Sequence, residues 1–505
     1  MDRTRMAVAG LLVLLAGCAP SDGPPAETQE QLEARARGIH ERVMTLDTHK
    51  DIPGNLAAAG GFDPGVRSNE QVDLVKMREG GLDAVFHIVY TGQGALTPVG
   101  YQRSLNQALN KFDGIRCMAD VMYPDRIELA LTADDAERIY AGGKLVAMIG
   151  VENGYPMGTD LALIEDFHRR GARYMGITHN GHNQLGDSNT PAEPVHGGLS
   201  ELGRQAIREM NRVGIMVDIS HAGKATMMQA LEVSAAPVIA SHSSVRALRD
   251  HPRNLDDEQL LALKENGGVM QTVAFASYVT DPNPPELQDS LAAIDAELGV
   301  PPATPGGGGR GGARAGGGGG GGGGRGARGG GAADEDVEPR PAYECGTPGA
   351  TVESAEGQAG GGRGGRGGRG GGRGGQGADQ QAMSPRDSAL AAMDSTRRGD
   401  YDRRRAEARA ALAADVSDFV DHIDYAVNLI GIDHVGISSD FDGGGGVEGW
   451  DDATETFNVT LELVRRGYTE EQIAKMWSGN LLRVWREVER VAREMRAAQP
   501  TGDGG

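Results

Sequence analysis

Eight apolar, β-type runs follow one another along this chain, and most of them end in residues that can bind a metal or move a proton. The first, VMTLDTHKD, closes on His49 and Asp51, and the second is GLDAVFHIVY. VAMIGVEN ends at Glu152, RYMGITHN at His179, IMVDISH at His221 and PVIASH at His242. VMQTVAF is seventh, and HVGISSDFD brings Asp440 to the end of the eighth. Polar chemistry placed repeatedly at the C-terminal ends of strands is the pattern of a (β/α)8 barrel, an α/β fold whose site lies on that face. The expected architecture is therefore a TIM barrel.

The 505 residues leave room for more than one domain, but the 79 glycines are unevenly spread, crowding between residues 305 and 377. A single barrel is expected over residues 37–280 and 411–497, split between its seventh and eighth strands by a Gly/Arg-rich insertion at 281–410. The insertion holds Gly tracts and RGG repeats at Arg363, Arg366, Arg369 and Arg373, a composition that cannot build a core and reads as disordered. Near its ends, residues 287–298 are amphipathic and 397–413 are charged, Ala-rich and helical in character. The net charge of −21 argues against a nucleic-acid partner.

Arg3 and Arg5 followed by the apolar residues 6–16 have the grammar of an export signal, too short to span a bilayer as a mature helix. The signal, residues 1–18, ends in Leu-Ala-Gly-Cys18, which resembles the lipobox of bacterial lipoproteins. That resemblance implies lipidation at Cys18 and anchorage to the bacterial cell envelope, with residues 19–36 as a tether and 498–505 as a disordered tail. Cys117 and Cys345 remain, without the spacing of a structural zinc site. An oxidising compartment permits them to pair, but the low-complexity surroundings of Cys345 argue against a fixed bridge.

His49 and Asp51 stand two apart at a strand end, so their side chains share a face. An HxD pair alone says little. Its weight rises because Glu152, His221 and His242 close three further strands, giving nitrogen and oxygen ligands suited to Zn²⁺ or a similar divalent ion. Five ligands are many for one tetrahedral ion, and a pair of metals about 3.5–4 Å apart, bridged by a carboxylate, would use them all.

The segments LDTHKDIP, GVENGYPMG, RYMGITHNGHN, VDISHAG, PVIASHSSVRAL, HPRNL, DHVGISSDFDG and GNLLRVW, in that order, resemble the membrane dipeptidase (renal dipeptidase) family, peptidase family M19, of the metal-dependent amidohydrolase type. The resemblance implies a zinc-dependent dipeptidase in which His49 and Asp51 bind one zinc, His221 and His242 the other, and Glu152 bridges them. It further implies a water or hydroxide between the metals as nucleophile, with Asp440 moving its proton. His179 would contact the substrate near the scissile carbonyl, and Arg253 would grip the substrate carboxylate with Tyr278 beside it. Dipeptides, often with a C-terminal D-residue, are the implied substrates, and a homodimer the implied assembly. Lys50 and Asn153 depart from the family pattern without altering a ligand, and Lys50 should point away from the metals.

His87, His182, His196 and His434 are read as non-ligands. Glycines 443–446 lack the Lys-Ser/Thr of a phosphate loop and read as a flexible loop beside Asp440. Trp477 and Trp485 fall on an amphipathic helix over 470–495 and should pack on the barrel. Two other readings stay open: a related amidohydrolase acting on N-acyl amino acids or β-lactams, and a non-catalytic envelope protein.

Overall fold

A computed structural model describes residues 27–302, 340–349 and 383–498. Eight parallel strands form the barrel: β1 (Leu46–Asp51), β2 (Ala84–Tyr90), β3 (Leu145–Glu152), β4 (Ala172–Gly176), β5 (Met216–Asp218), β6 (Ile239–Ser243), β7 (Val269–Val273) and β8 (Val435–Ser438). Each pairs with the next in order, and a three-residue strand at Ile127–Leu129 adds to the outside of β3. β8 returns to β1 through the Asp51 N–H, which donates to the Phe441 carbonyl at 2.9 Å. The Ser439 N–H adds a bond to the Asp47 carboxylate, also 2.9 Å. The strands are buried along almost their whole length, as parallel strands covered on both faces must be.

The barrel interior is filled from its N-terminal end. Leu46, Ala84, Val146, Met216, Ile239 and Val269, at or next to the first position of their strands, form one apolar cluster with Phe86, Met148 and Tyr174. The C-terminal helix Asn480–Ala497 adds Leu481, Leu482, Trp485 and Val488 to that cluster and so floors the barrel opposite the site. Trp477 is buried too, in a π-helical turn at Lys475–Gly479 that interrupts the expected continuous helix.

Two sequence expectations change. A helix, Gln29–Arg42, starts inside the stretch assigned to the tether; Thr28 and Gln31 close its first turn as a capping box, and Ala36 and Ile39 are buried against the barrel layer. The stretches of the insertion read as amphipathic (287–298) and helical (397–413) are helices. Helices Pro285–Glu297, Pro385–Ala391 and Ser395–Ala410 pack around Ile294, Val300 and Tyr401, where Asp295 pairs with Arg386 and Arg405. Residues 340–349 dock as well: Arg340 pairs with Asp113 at 2.6 Å, the Tyr343 hydroxyl donates to the Leu56 carbonyl, and Cys345 is bonded to Cys117. The argument against that disulfide fails because a short apolar and charged island inside the insertion belongs to the fold. The apolar N-terminal run with Cys18, the Gly/Arg tracts and residues 499–505 lie outside the described residues. No described helix is long and apolar enough to cross a membrane.

Candidate metal centre

At the C-terminal mouth of the barrel a cavity of about 220 Å³ is lined by Asp51, Glu152, His179, His221, His242, Arg253, Tyr278 and Asp440. Tyr90, Asn180, Phe275, Asp442 and Gly443 complete its wall. His49 lies against it, 1 % exposed. The structure thus gathers every predicted site residue of the barrel in one place.

Local geometry explains how they meet. A register shift between Asp47 and Lys50 bulges β1, and beyond it Lys50 pairs with His87 and Asp51 with Ile88. His49 and Asp51 consequently face the mouth, while Lys50 turns outward, as expected. It is nevertheless 2 % exposed and ion-paired to Asp442 at 3.1 Å, so it lies under the rim and not in solvent. Asp440 and Asp442 both have left-handed backbones, φ 58° and 60°. Such conformations cost a non-glycine residue about 1–3 kcal/mol and persist where surrounding contacts over-determine them.

Glu152 sits at the centre. Its Oε1 is 2.9 Å from His221 Nε2, 3.6 Å from His242 Nε2 and 3.5 Å from His179 Nε2. Its Oε2 faces the other way, 3.7 Å from His49 Nε2, which is itself 3.8 Å from Asp440 Oδ1. Two groups of potential ligand atoms therefore share one carboxylate: His49, Glu152 and His242, and Glu152, His179 and His221. His221 Nε2 and His242 Nε2 lie 3.0 Å apart on the Oε1 side, and the His242 ring is 3.8 Å from that of His49 centroid to centroid, so His242 sits between the two groups. His179, expected at the substrate, also comes within reach of a ligand group. Asp51 falls in neither group. Its Oδ1 is buried without a hydrogen-bond partner, and it faces Asp440 across Gly443, where a Cβ would lie 2.3 Å from Asp440 Oδ1 and 3.1 Å from Asp51 Oδ2.

The rings are aimed by hydrogen bonds behind them. Tyr174 Oη donates to the Thr48 carbonyl at 3.1 Å, so its lone pair accepts from His49 Nδ1 at 3.0 Å and leaves Nε2 as the free lone pair towards the cavity. Ser241 Oγ donates to Asp218 at 2.8 Å, so it accepts from His242 Nδ1, also 2.8 Å away. Asp218 additionally accepts from the Ser220 hydroxyl and the Ser220 and Ser241 N–H groups, fixing the residues before His221 and His242 together. Sequence reasoning passed over Asp218 and Tyr174. The signal for the first was the serine that precedes each histidine in VDISH and VIASH.

Electrostatics favour a cation. Four carboxyls but one guanidinium line the cavity. Burial pushes Asp440 up to about 8, with His49 opposing and Glu152 and Asp51 reinforcing the shift. Burial and the Glu152 charge push Asp51 up to about 6. Burial holds His221 and His242 well below the usual imidazole range, so both stay neutral, the form that ligates metals. For His49 burial acts in the same direction but is outweighed by Glu152, Asp440 and Asp51, which raise it to about 9, so a cation binding there displaces the proton from Nε2. Burial likewise opposes ionisation of Glu152, yet the surrounding imidazoles keep it well below the usual carboxylate range. Crowded carboxyls, an orphaned carboxylate oxygen and convergent imidazole lone pairs are the donor set that divalent cations satisfy.

The sequence profile of the family described as membrane dipeptidase (Peptidase family M19) matches residues 33–499. The chain belongs to that family. It is a metallo-dipeptidase, and its relatives agree: dipeptidase tcpJ of Claviceps purpurea (strain 20.1) is 27 % identical over 444 residues, 87 % of this chain and 74 % of that protein. The crystal structure of the probable dipeptidase PvdM from Pseudomonas aeruginosa is similar with a TM-score of 0.65 and 29 % identity, covering 92 % of this chain and all of the other. A Rhodobacter sphaeroides metallopeptidase liganded with a phosphinate mimic of the dipeptide L-Ala-D-Ala shares the fold at a TM-score of 0.56 and 18 % identity, over 88 % of this chain and 99 % of that one.

Proposed function

We propose that this metallo-dipeptidase holds two zinc ions between His49, Asp51, Glu152, His221 and His242, and that it cleaves dipeptides whose C-terminal residue is often of D configuration. The observation that carries this reading is the Glu152 carboxylate, whose two oxygens face separate imidazole groups. When bound, the two cations supply Lewis acidity for the scissile carbonyl and a water whose pKa falls towards neutrality. Everything else is work for the side chains.

Arg253 orients the substrate. It is 2 % exposed, with one terminal nitrogen bonded to the Ser220 carbonyl, the other 3.2 Å from the His242 carbonyl, and Nε buried without a partner. A guanidinium held this rigidly at a cavity wall favours a free carboxylate, which restricts substrates to short peptides ending near it. The Tyr278 ring, 5.5 Å from the guanidinium carbon, flanks that carboxylate. His179, its ring tilted against Tyr90 at 4.7 Å between centroids, meets the carbonyl oxygen as it acquires charge. Asp440 takes a proton from the attacking water and returns it to the departing amine nitrogen as the C–N bond breaks, leaving a carboxylic acid and an amine. The cavity volume of about 220 Å³ suits a substrate of two residues. The D-residue preference draws on the L-Ala-D-Ala mimic bound by the Rhodobacter sphaeroides relative in fold.

Export with a lipid anchor at Cys18 follows from the signal grammar, and the Cys117–Cys345 disulfide fits an oxidising envelope compartment. Pairing into a homodimer completes the proposal. Asp440→Asn tests the catalytic part: it should retain both metals and lose most turnover on L-Ala-D-Ala. Wild-type turnover in that variant contradicts the role. A panel with N-acyl amino acids and a β-lactam distinguishes the peptidase from its amidohydrolase rival, which would turn over those compounds faster than any dipeptide.

A further inference from the structure

Lys50 stands between His49 and Asp51 and turns away from the cavity, yet it is only 2 % exposed. Its ammonium lies 3.1 Å from Asp442 Oδ2, in the turn that carries Asp440. The same turn is gripped by Gln71, whose N–H donates to Asp442 Oδ1 at 2.6 Å and whose side-chain oxygen accepts from the Asp442 N–H at 2.7 Å. Gln71 also reaches the Gly445 carbonyl at 3.0 Å. A second carboxyl, Glu70, stands against Asp442. Two carboxyls side by side, Glu70 half-buried and the Asp442 side chain nearly covered, repel unless a cation lies beside them, and Lys50 is paired with Asp442.

We propose that Lys50 is a positioning residue for the reaction: its ion pair with Asp442 locks the left-handed Asp440–Asp442 turn and so holds the Asp440 carboxyl at the cavity. Both ends of the lever are short. Lys50 lies between His49 and Asp51 on the strand, Asp51 N–H is bonded to the Phe441 carbonyl, and Asp442 is two residues from Asp440. Removing the ammonium leaves the Asp442 side chain held by Gln71, with the two neighbouring carboxyls short of one compensating cation. The Asp440 oxygen then drifts from the line between water and leaving nitrogen, and a misplacement of about 1 Å at such a group costs on the order of a hundredfold in rate. The inference rests on the proton-moving role given to Asp440.

The test compares Lys50→Met, which keeps the length and packing of the stem, with Asp442→Asn, which keeps an acceptor for Gln71 but loses the charge, and with their double variant. Metal content, kcat and KM on L-Ala-D-Ala are measured for each, with Asp440→Asn alongside. Either single variant should lower kcat about tenfold to a hundredfold while KM and bound metal stay within twofold, and the double variant should be no worse than the poorer single. Should Lys50→Met fail to fold, Asp442→Asn alone carries the same expectation. A kcat within twofold of wild type, a loss expressed in KM or in metal content, or single losses that multiply in the double variant overturns the inference. If Asp440→Asn turns over normally, the role of Asp440 is what fails; if only Asp440→Asn loses turnover, the positioning inference fails by itself.

Discussion

Replacing Tyr174 by Phe removes a single oxygen from a fully buried side chain and leaves its ring packed against Phe86, 5.1 Å between centroids. That oxygen accepts from His49 Nδ1 at 3.0 Å while donating to the Thr48 carbonyl. Without it the Nδ1–H, on the buried side of the ring, has no acceptor, and the tautomer presenting Nε2 to the cavity loses its support. An unsatisfied buried donor costs about 1–3 kcal/mol. At about 1.4 kcal/mol per factor of ten, metal affinity at the His49 site should fall roughly 5- to 150-fold, a span that brackets the roughly 10- to 100-fold typical when a group behind a ligand is lost. Competition titration against a chelator of known affinity reads this directly. At saturating metal kcat should recover to within a few-fold of wild type, because no group that touches substrate has changed. An affinity within twofold of wild type would refute the argument that Tyr174 sets the His49 tautomer, and a kcat loss that metal cannot restore would show that the hydroxyl acts on the reaction itself.

Other outcomes follow from single features. His87 is buried with neither ring nitrogen hydrogen-bonded, and burial, with the Lys50 charge, lowers its pKa to about 3. The unfolded chain therefore binds a proton that the native state refuses between pH 6.5 and 3, so stability is lost as pH falls through that window. Relative to wild type, His87→Met should gain about 3 kcal/mol between pH 7 and 4 in urea titrations; parallel curves would contradict the linkage. The Cys117–Cys345 bond joins positions 228 residues apart, and Cys345→Ser should lower unfolding free energy by about 2–5 kcal/mol, an effect absent if residues 340–349 do not dock. Gly443→Ala places a Cβ 2.3 Å from Asp440 Oδ1, so kcat should drop at least about tenfold with little change in melting temperature; retained activity would show that the turn yields.

Strand order and site location were legible because parallel strands buried on both faces read as continuous apolar runs, and because His49, Glu152, His242 and Asp440 mark their ends. Less legible was anything decided by a partner distant in sequence. Lys50 looked like a bystander because nothing in DTHKD announces Asp442, 392 positions on. The glycine-rich neighbours of Cys345 argue against pairing, while the docking contacts of Arg340 and Tyr343 with Asp113 and Leu56 depend on folded surfaces. The start of the first helix was missed for a different reason: polar residues 27–35 resemble a tether until Thr28 and Gln31 cap each other. His179 was recognised as a site residue, but its place in a ligand group depends on where Glu152 points, which periodicity does not encode.

Anomalous diffraction at the zinc edge, collected from crystals of the purified enzyme grown without chelator, tests the central claim most directly. Two peaks are expected on either side of Glu152, one bonded to each of its oxygens, with His49 and Asp51 at the first and His221 and His242 at the second. A single peak, or density that leaves Glu152 unbound, would contradict a carboxylate-bridged pair.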